Sequence, residues 1–272
     1  MSDRRSRTVA VDLDASRRAF GGDDRGVSDV VGYILVFSLI TITIGTVFAV
    51  GITGVEDRRE AERVANVERA FDVFDDNLRD VQRYGDPSRA TEIRLAGGTL
   101  ATSGETRFVL NRTTGGGDNV TLAEWQAGSL TYRDGDTVIA YDAGALVRSD
   151  GDGSVMLSDP RFVAAYDRTT IPIVDLVPEE ADASVTGEGT VQITTVDQLD
   201  TGSETSRFDA AGETLHLRVE SAHAGAWRRY FQRTDGFEEV TPAGADGVAV
   251  ARIVNDDQVY VQHLTRIVSL RR

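Results

Sequence analysis

Asp150-Gly151-Asp152-Gly153-Ser154 sets several oxygens close together, and Asp159 follows a few positions on. Hard cations such as calcium gather carboxylates and carbonyls in this way, so the run resembles a fragment of a calcium loop. It lacks the distal bidentate glutamate of an EF-hand, and an acidic β-turn explains the same residues with fewer requirements. The histidines, His216, His223 and His263, have none of the i,i+4 spacing that puts two imidazoles on one helix face for zinc. The sequence contains no Gly-x-Ser-x-Gly nucleophile turn and no phosphate-binding Gly-x-x-x-x-Gly-Lys. Carboxylates are so abundant that an acid/base pair could be drawn almost anywhere, which makes their presence uninformative. The absence of cysteine excludes disulfides, Cys-ligated zinc and thiol catalysis, and leaves the redox compartment open. No catalytic residue, metal or cofactor is therefore assigned, and the expectation is a protein that is not an enzyme. Asn111-Arg112-Thr113 and Asn119-Val120-Thr121 fit the acceptor pattern for N-glycosylation. Asn111 and Asn119 are thus candidates for modification on an outer surface, or else an ordinary pair of loop asparagines.

What must position these residues is a chain of 272 residues, enough for one well-packed domain plus an extra element. Its formal charge is −15, and all 29 basic residues are arginine, none lysine. An acidic, lysine-free surface suits concentrated salt, where short-range screening removes the self-repulsion of like charges. The composition resembles that of halophilic archaeal proteins. Nucleic acid is not an expected partner, because no basic stripe exists to displace phosphate counterions. Residues 1–55 hold six Arg and six Asp, so the whole negative excess lies beyond residue 55.

From Val30 to Val55 the run VVGYILVFSLITITIGTVFAVGITGV carries no charge over about 26 positions, against the ~20 needed to cross a bilayer as a helix. It is too long for the apolar region of a secretory signal peptide, so membrane lipid is the first expected partner. Arg17, Arg18 and Arg25 precede the span and Arg58, Arg59, Arg63 and Arg69 follow it, which leaves the positive-inside rule undecided. Large domains translocate largely regardless of flanking charge, and on that ground the acidic C-terminal portion is placed outside.

At the start of this span the chain reads Arg25-Gly26-Val27-Ser28-Asp29-Val30-Val31-Gly32-Tyr33-Ile34-Leu35. These residues resemble the start of archaeal type IV pilins, in which a charged leader ends in Arg-Gly or Arg-Ala. There a Val-Ser-x-Val-Ile/Val-Gly-x-Ile-Leu stretch then opens the hydrophobic helix. The resemblance implies a prepilin-type membrane peptidase cutting after Gly26, with Arg25, Gly26 and Val27 as the cleavage site. It also implies that Ser28, Asp29, Val30, Val31, Gly32, Ile34 and Leu35 belong to an assembly helix, with other pilin-like subunits as partners. Asp29 stands where the family usually has proline, and its carboxylate could pair with the terminal ammonium of a neighbouring subunit. A looser likeness, through the stretches Glu68 to Leu78 and Pro87 to Leu95, extends to haloarchaeal membrane proteins of unknown function and implies no activity.

Beyond the span, Val64, Val67, Phe71, Phe74, Leu78 and Val81 recur at spacings of three and four, which makes one apolar stripe on a helix. Gly85 and Pro87 would stop that helix. The stripe can pack on the protein's own β domain or pair with other copies as a coiled coil. From Thr91 onward the pattern alternates in many short runs, from Glu92–Leu95 to Gln258–Arg266, with Asp134-Gly135 as a hairpin turn. A second helix is predicted over Ala224–Arg233, packed on the sheet by Trp227, Tyr230 and Phe231, and Gly115-Gly116-Gly117 reads as a flexible loop.

The expectation is an α+β fold. A charged leader spans 1–26, a transmembrane helix 27–55 and an extracellular amphipathic stalk helix 56–85. An antiparallel, sandwich-like β domain with one short helix follows over 90–272. The expected role is that of a single-pass cell-membrane protein with its C-terminal domain extracellular, acting as a minor pilus-type subunit or in surface display and adhesion. The alternative is an unprocessed, signal-anchored binding or receptor module that does not polymerise.

Overall fold

Helix α1 runs Asp24–Tyr84, and its sequence changes character part-way along. The computed structural model describes residues 24–272 apart from 85–87, 166, 182, 198–202, 211 and 255–257. The charged leader to residue 23 and the stop signal at Gly85 and Pro87 lie outside the described residues, as do the side chains of Arg25, Val27 and Val81. The chain divides into two compact units, Met1–Ala61 and Glu62–Arg272. In the first, every residue of α1 from Ser28 to Ile52 is exposed.

In the second unit the three-and-four spacing of the sequence becomes a buried face. Val64, Val67, Phe71, Phe74 and Leu78 are all buried, whereas Val73, off the stripe, is 52% exposed. The buried residues share a cluster with Ile93, Leu95, Tyr132 and Tyr141 from the strands that follow. Of the two partners open to the stripe, the protein's own β domain is the one it packs on.

Thirteen strands form one hydrogen-bonded sheet among the described residues. In chain order they are β1 (Ser88–Thr113), β2 (Asn119–Asp134), β3 (Thr137–Asp142), β4 (Ala145–Asp150), β5 (Gly153–Ser158), β6 (Val163–Ala165) and β7 (Arg168–Pro178). Then come β8 (Ser184–Asp197), β9 (Ser203–Asp209), β10 (Thr214–Glu220), helix α2 (Ala224–Arg233), β11 (Phe237–Glu239), β12 (Val248–Ile253) and β13 (Gln258–Arg271). The main path is β5-β4-β3-β2-β1-β8-β13-β7-β6, with β10 on β1, β12 on β10, β11 on β12 and β9 on β13.

Two expectations change here. The sandwich is replaced by a single branched sheet, because β1 pairs β8 through Ser88–Ala101 and β10 through Arg107–Thr113, so hydrogen bonding runs unbroken through one strand. The sheet is also not wholly antiparallel, since β7 and β13 lie parallel. Parallel neighbours need a long crossover, and the connection carrying β8 to β12 supplies one.

The sequence pattern divides β1 because glycines interrupt its alternation. Gly98 has φ +72°, and a Cβ there would lie 2.6 Å from the Arg133 carbonyl oxygen, so glycine answers both the angle and the close approach. The register shifts between Ala96 and Thr99 as the chain passes it. Strands β6 and β9 have no counterpart in the sequence pattern: the first is three residues long, and the second, SETSRFD, holds one large apolar residue.

Consecutive strand residues point to opposite faces, so adjacent buried residues in different clusters mark a core on each side of the sheet. Val147 and Ile173 belong to one cluster, while their neighbours Leu146 and Val174 belong to the other. The first core is covered by α2, whose fully buried Trp227 meets Phe108 edge-on with ring centres 5.5 Å apart. The second is covered by the stripe of α1.

Candidate functional site

The stretch Ser28–Ile52 is 25 residues long, and its 18-residue apolar centre has a mean hydropathy of 2.3 and is 0% buried. It is long and apolar enough to cross a bilayer, and its lack of burial separates it from the core helix of a soluble domain. Three of its hydroxyls are satisfied within the helix. The hydroxyls of Thr41, Thr43 and Thr46 donate to the carbonyls of Phe37, Leu39 and Ile42, each at 2.8 Å. Helical backbone and threonine hydroxyls bonded in this way need no water, which lowers the cost of placing them in lipid.

Residues 25–35 sit near the start of α1. Arg25, Gly26 and Val27 lie within helical backbone, and Ser28, Asp29, Val30, Val31, Gly32, Ile34 and Leu35 follow as exposed positions. A Cβ at Gly32, Gly45 or Gly51 would meet nothing within 4 Å, so those faces of the helix are open.

The other candidates are distributed over the second unit. Asp150 to Ser154 form the turn between β4 and β5, with Asp150 paired to Gly153. The Asp150 carboxylate accepts from Arg148 Nε at 2.7 Å and Thr137 Oγ1 at 2.8 Å. Those two bonds, Arg148 first, hold its pKa below the usual carboxylate value. Among the described residues no group of three or more His, Cys, Asp or Glu could hold a metal ion.

The histidines remain apart. His216 on β10 shares a hydrogen bond of 3.1 Å with Thr113, and His263 on β13 lies 3.0 Å from the Gln126 carbonyl and 3.7 Å from Asp175 Oδ2. His223 caps the start of α2 and shares a 2.9 Å bond with Ser149 Oγ on β4. The pair opens into a groove of about 430 Å³ that Arg133 and Arg228 also line. Burial pushes the His223 pKa down, with Asp142 partly opposing it. No described carboxylate hydrogen-bonds the other ring nitrogen, so a serine–histidine contact is present without the third member that would orient it for nucleophilic attack.

Asn111 and Asn119 are ladder residues flanking a tight turn rather than loop residues. Thr121 Oγ1 donates to Asn111 Oδ1 at 2.9 Å, and Thr113 Oγ1 donates to Asn119 Oδ1 at 2.6 Å. Each asparagine is therefore held by the threonine of the other's acceptor triplet.

A model of a family of unknown function, DUF7289, matches residues 25–268. The chain belongs to DUF7289. No curated protein and no solved structure matches it. In this DUF7289 protein the matched stretch opens at Arg25 and closes at Val268, so it takes in the apolar helix, the amphipathic part of α1 and the sheet through most of β13.

The polar clusters that hold the DUF7289 sheet together escape the sequence reading. Asp142, 1% exposed at the end of β3, accepts from Thr106 Oγ1 at 2.5 Å, Ser221 Oγ at 2.8 Å and Trp227 Nε1 at 3.2 Å. It joins β1, β3 and the start of α2, and three donors offset the cost of burying a carboxylate. On the opposite face Arg79 reaches Asp75 at 2.5 Å and donates to Ser158 at 2.7 Å, while Ser158 donates to Asp75 at 2.9 Å. Burial raises the Asp75 pKa despite the neighbouring Arg79. A third cluster, the ion pair of Arg266 with Asp197 at 2.9 Å, fixes β13 against β8. Apart from Arg266 Nε, which is buried with no hydrogen-bond partner, the groups named in these three clusters are engaged with one another inside the fold, which makes them pins between elements.

Proposed function

We propose that this DUF7289 protein is a single-pass, membrane-anchored cell-surface protein that holds its acidic β domain outside the cell. A prepilin-type peptidase cuts it after Gly26. It catalyses no reaction and serves as a minor pilus-type subunit or in surface display and adhesion, in a salt-rich setting. The observation that carries this reading is the 25-residue, wholly unburied apolar helix that begins directly after Arg25-Gly26-Val27. The open flanks at Gly32, Gly45 and Gly51 support it, because small residues let helices approach closely in lipid. So does the charge distribution, with all of the −15 excess beyond residue 55. In this setting Asn111 and Asn119 become candidate glycosylation sites on the outer face.

The deciding measurement is the mature N-terminus of the protein purified from its native membrane, read by mass spectrometry. A start at Val27 supports pilin-type processing, and Gly26→Asp should then leave the precursor uncut. Wild-type processing of that variant would remove the main support for the assignment. A start at Met1 or Ser2 turns the protein into the alternative, an uncleaved anchor for a binding module, which the Asp29 departure from the pilin pattern favours. Protease treatment of intact cells tests the orientation: the β domain is digested only if it lies outside.

A further inference from the structure

The ends of a sheet present unpaired N–H and C=O groups to any passing strand, and proteins normally blunt them with charge, proline or brevity. Among the described residues four strands hydrogen-bond to a single neighbour: β5, β6, β9 and β11. Three of them are defended. Strands β6 and β11 are three residues each, and β9 carries Glu204, Arg207 and Asp209. Strand β5, GSVMLS, is six residues long and has neither a charge nor a proline. Its Val155 and Leu157 are 48% and 42% exposed.

Beside that edge lies a groove of about 580 Å³, lined by Val155 to Asp159 along the strand and by Ala226, Arg229 and Arg233 of α2. Arg233 is paired with Asp159 at the end of the strand. Arg229 is exposed and makes no hydrogen bond or ion pair among the described residues. The two faces of the edge differ. Met156 packs against the core that α2 covers, whereas its neighbour Val155 pairs with Arg148, whose guanidinium reaches Glu68 of α1 on the opposite face.

We propose that the β5 edge is a strand-addition site that takes an extended segment of a partner protein whose side chains alternate between apolar and acidic. The segment's main chain pairs with the free groups of β5, as in other strand-addition complexes. Pleating sends its alternate side chains to the two faces. Those on the α2 face meet Arg229, which calls for a carboxylate. Those on the other face meet Val155, which calls for apolar groups. On a protein of net charge −15, Arg229 is the local attraction that lets an acidic segment settle in register. The site does not depend on whether the leader is cut.

The test uses the full-length protein in detergent micelles and two labelled peptides, acetyl-(Val-Glu)₄-amide and acetyl-(Val-Lys)₄-amide, followed by fluorescence anisotropy at one fixed salt concentration. The glutamate peptide should bind saturably. Arg229→Glu, a change at an exposed position, should weaken it about fivefold by replacing opposite charges with like ones. Val155→Asp should weaken it further by charging the edge, with far-UV circular dichroism checking that both variants remain folded. Lack of saturable binding by the glutamate peptide, equal binding of the lysine peptide, or indifference to both substitutions would overturn the proposal. So would concentration-dependent self-association that Val155→Asp abolishes, because the occupant would then be a second copy of this chain.

Discussion

Replacing Phe74 with alanine asks whether the amphipathic half of α1 is part of the β domain's fold. Phe74 is 1% exposed, and its ring meets Tyr141 of β3 edge-on, with centres 5.5 Å apart and planes at 88°. Truncating a buried phenylalanine costs about 3–5 kcal/mol, from the lost transfer energy and the cavity left behind. Of that, the aromatic pair accounts for about 0.5–1.5 kcal/mol. For a unit of this size each kcal/mol lowers the melting midpoint by about 2–4 °C, so the expected drop is about 6–20 °C. The neighbouring Val73 supplies the control. It is 52% exposed, and Val73→Ala should change stability by no more than about 0.5 kcal/mol, alanine being also the better helix former. The assay is urea and thermal unfolding of the full chain in detergent, followed by near-UV circular dichroism at several protein concentrations. A loss below about 1 kcal/mol for Phe74→Ala would refute the reasoning. So would a loss that varies with protein concentration, which is the behaviour of a stripe buried against other copies.

Asp142→Ala should destabilise the second unit by about 3 kcal/mol or more, since it strands three buried donors, and Asp142→Asn should cost less because an acceptor oxygen survives; calorimetry of the two variants checks the order. Burial holds the Asp75 pKa above its ordinary 3.8 in the folded protein, so the folded state keeps this proton to higher pH than the unfolded chain. The stability Asp75 contributes is then fully present below pH 3.8 and is lost as pH rises through the raised value, and Asp75→Asn should flatten that decline in a series of melts. An unchanged slope would assign it to another group. The melting midpoint should also rise with sodium chloride, because the Debye length falls from about 30 Å at 0.01 M to about 3 Å at 1 M and screens the self-repulsion of the acidic surface. A midpoint that falls with salt would count against the halophilic reading.

What was legible in the sequence was local. Helix α2 appears over the predicted residues because Trp227, Tyr230 and Phe231 fall at helical spacing and nothing within it breaks the pattern. The apolar span needs only its own length and lack of charge, and the stripe on α1 only its own spacing. What escaped depends on residues far apart. Asp142 closes a short alternating run, and its partners Thr106, Ser221 and Trp227 are 36, 79 and 85 positions away. No periodicity forecasts that meeting. The parallel placement of β13 beside β7 is equally non-local, and the length of β1 was hidden by glycines that bend a strand without ending it. Asn111 and Asn119 looked like loop residues because three glycines separate them. Those glycines make a tight turn, with Gly117 N donating to the Thr114 carbonyl at 2.8 Å, so pairing continues almost to its ends.

Helix α1 passes through two regimes of burial, and the change between them limits how the chain can be divided. A soluble version that began at Ser88 would keep every strand but remove Val64, Val67, Phe71, Phe74 and Leu78 from Ile93, Leu95, Tyr132 and Tyr141. An apolar face of that extent, left open, is the kind of patch that drives aggregation. A version that began at Glu62 would keep that core closed and omit the whole apolar stretch. The proposed cut after Gly26 falls far upstream of Glu62 and takes nothing from the second unit. The amphipathic half of α1 is thus a structural part of the β domain, required whatever the protein does. The apolar half contributes no buried surface to the described fold, so its retention needs a reason outside that fold, and a lipid bilayer is the environment its length and composition fit.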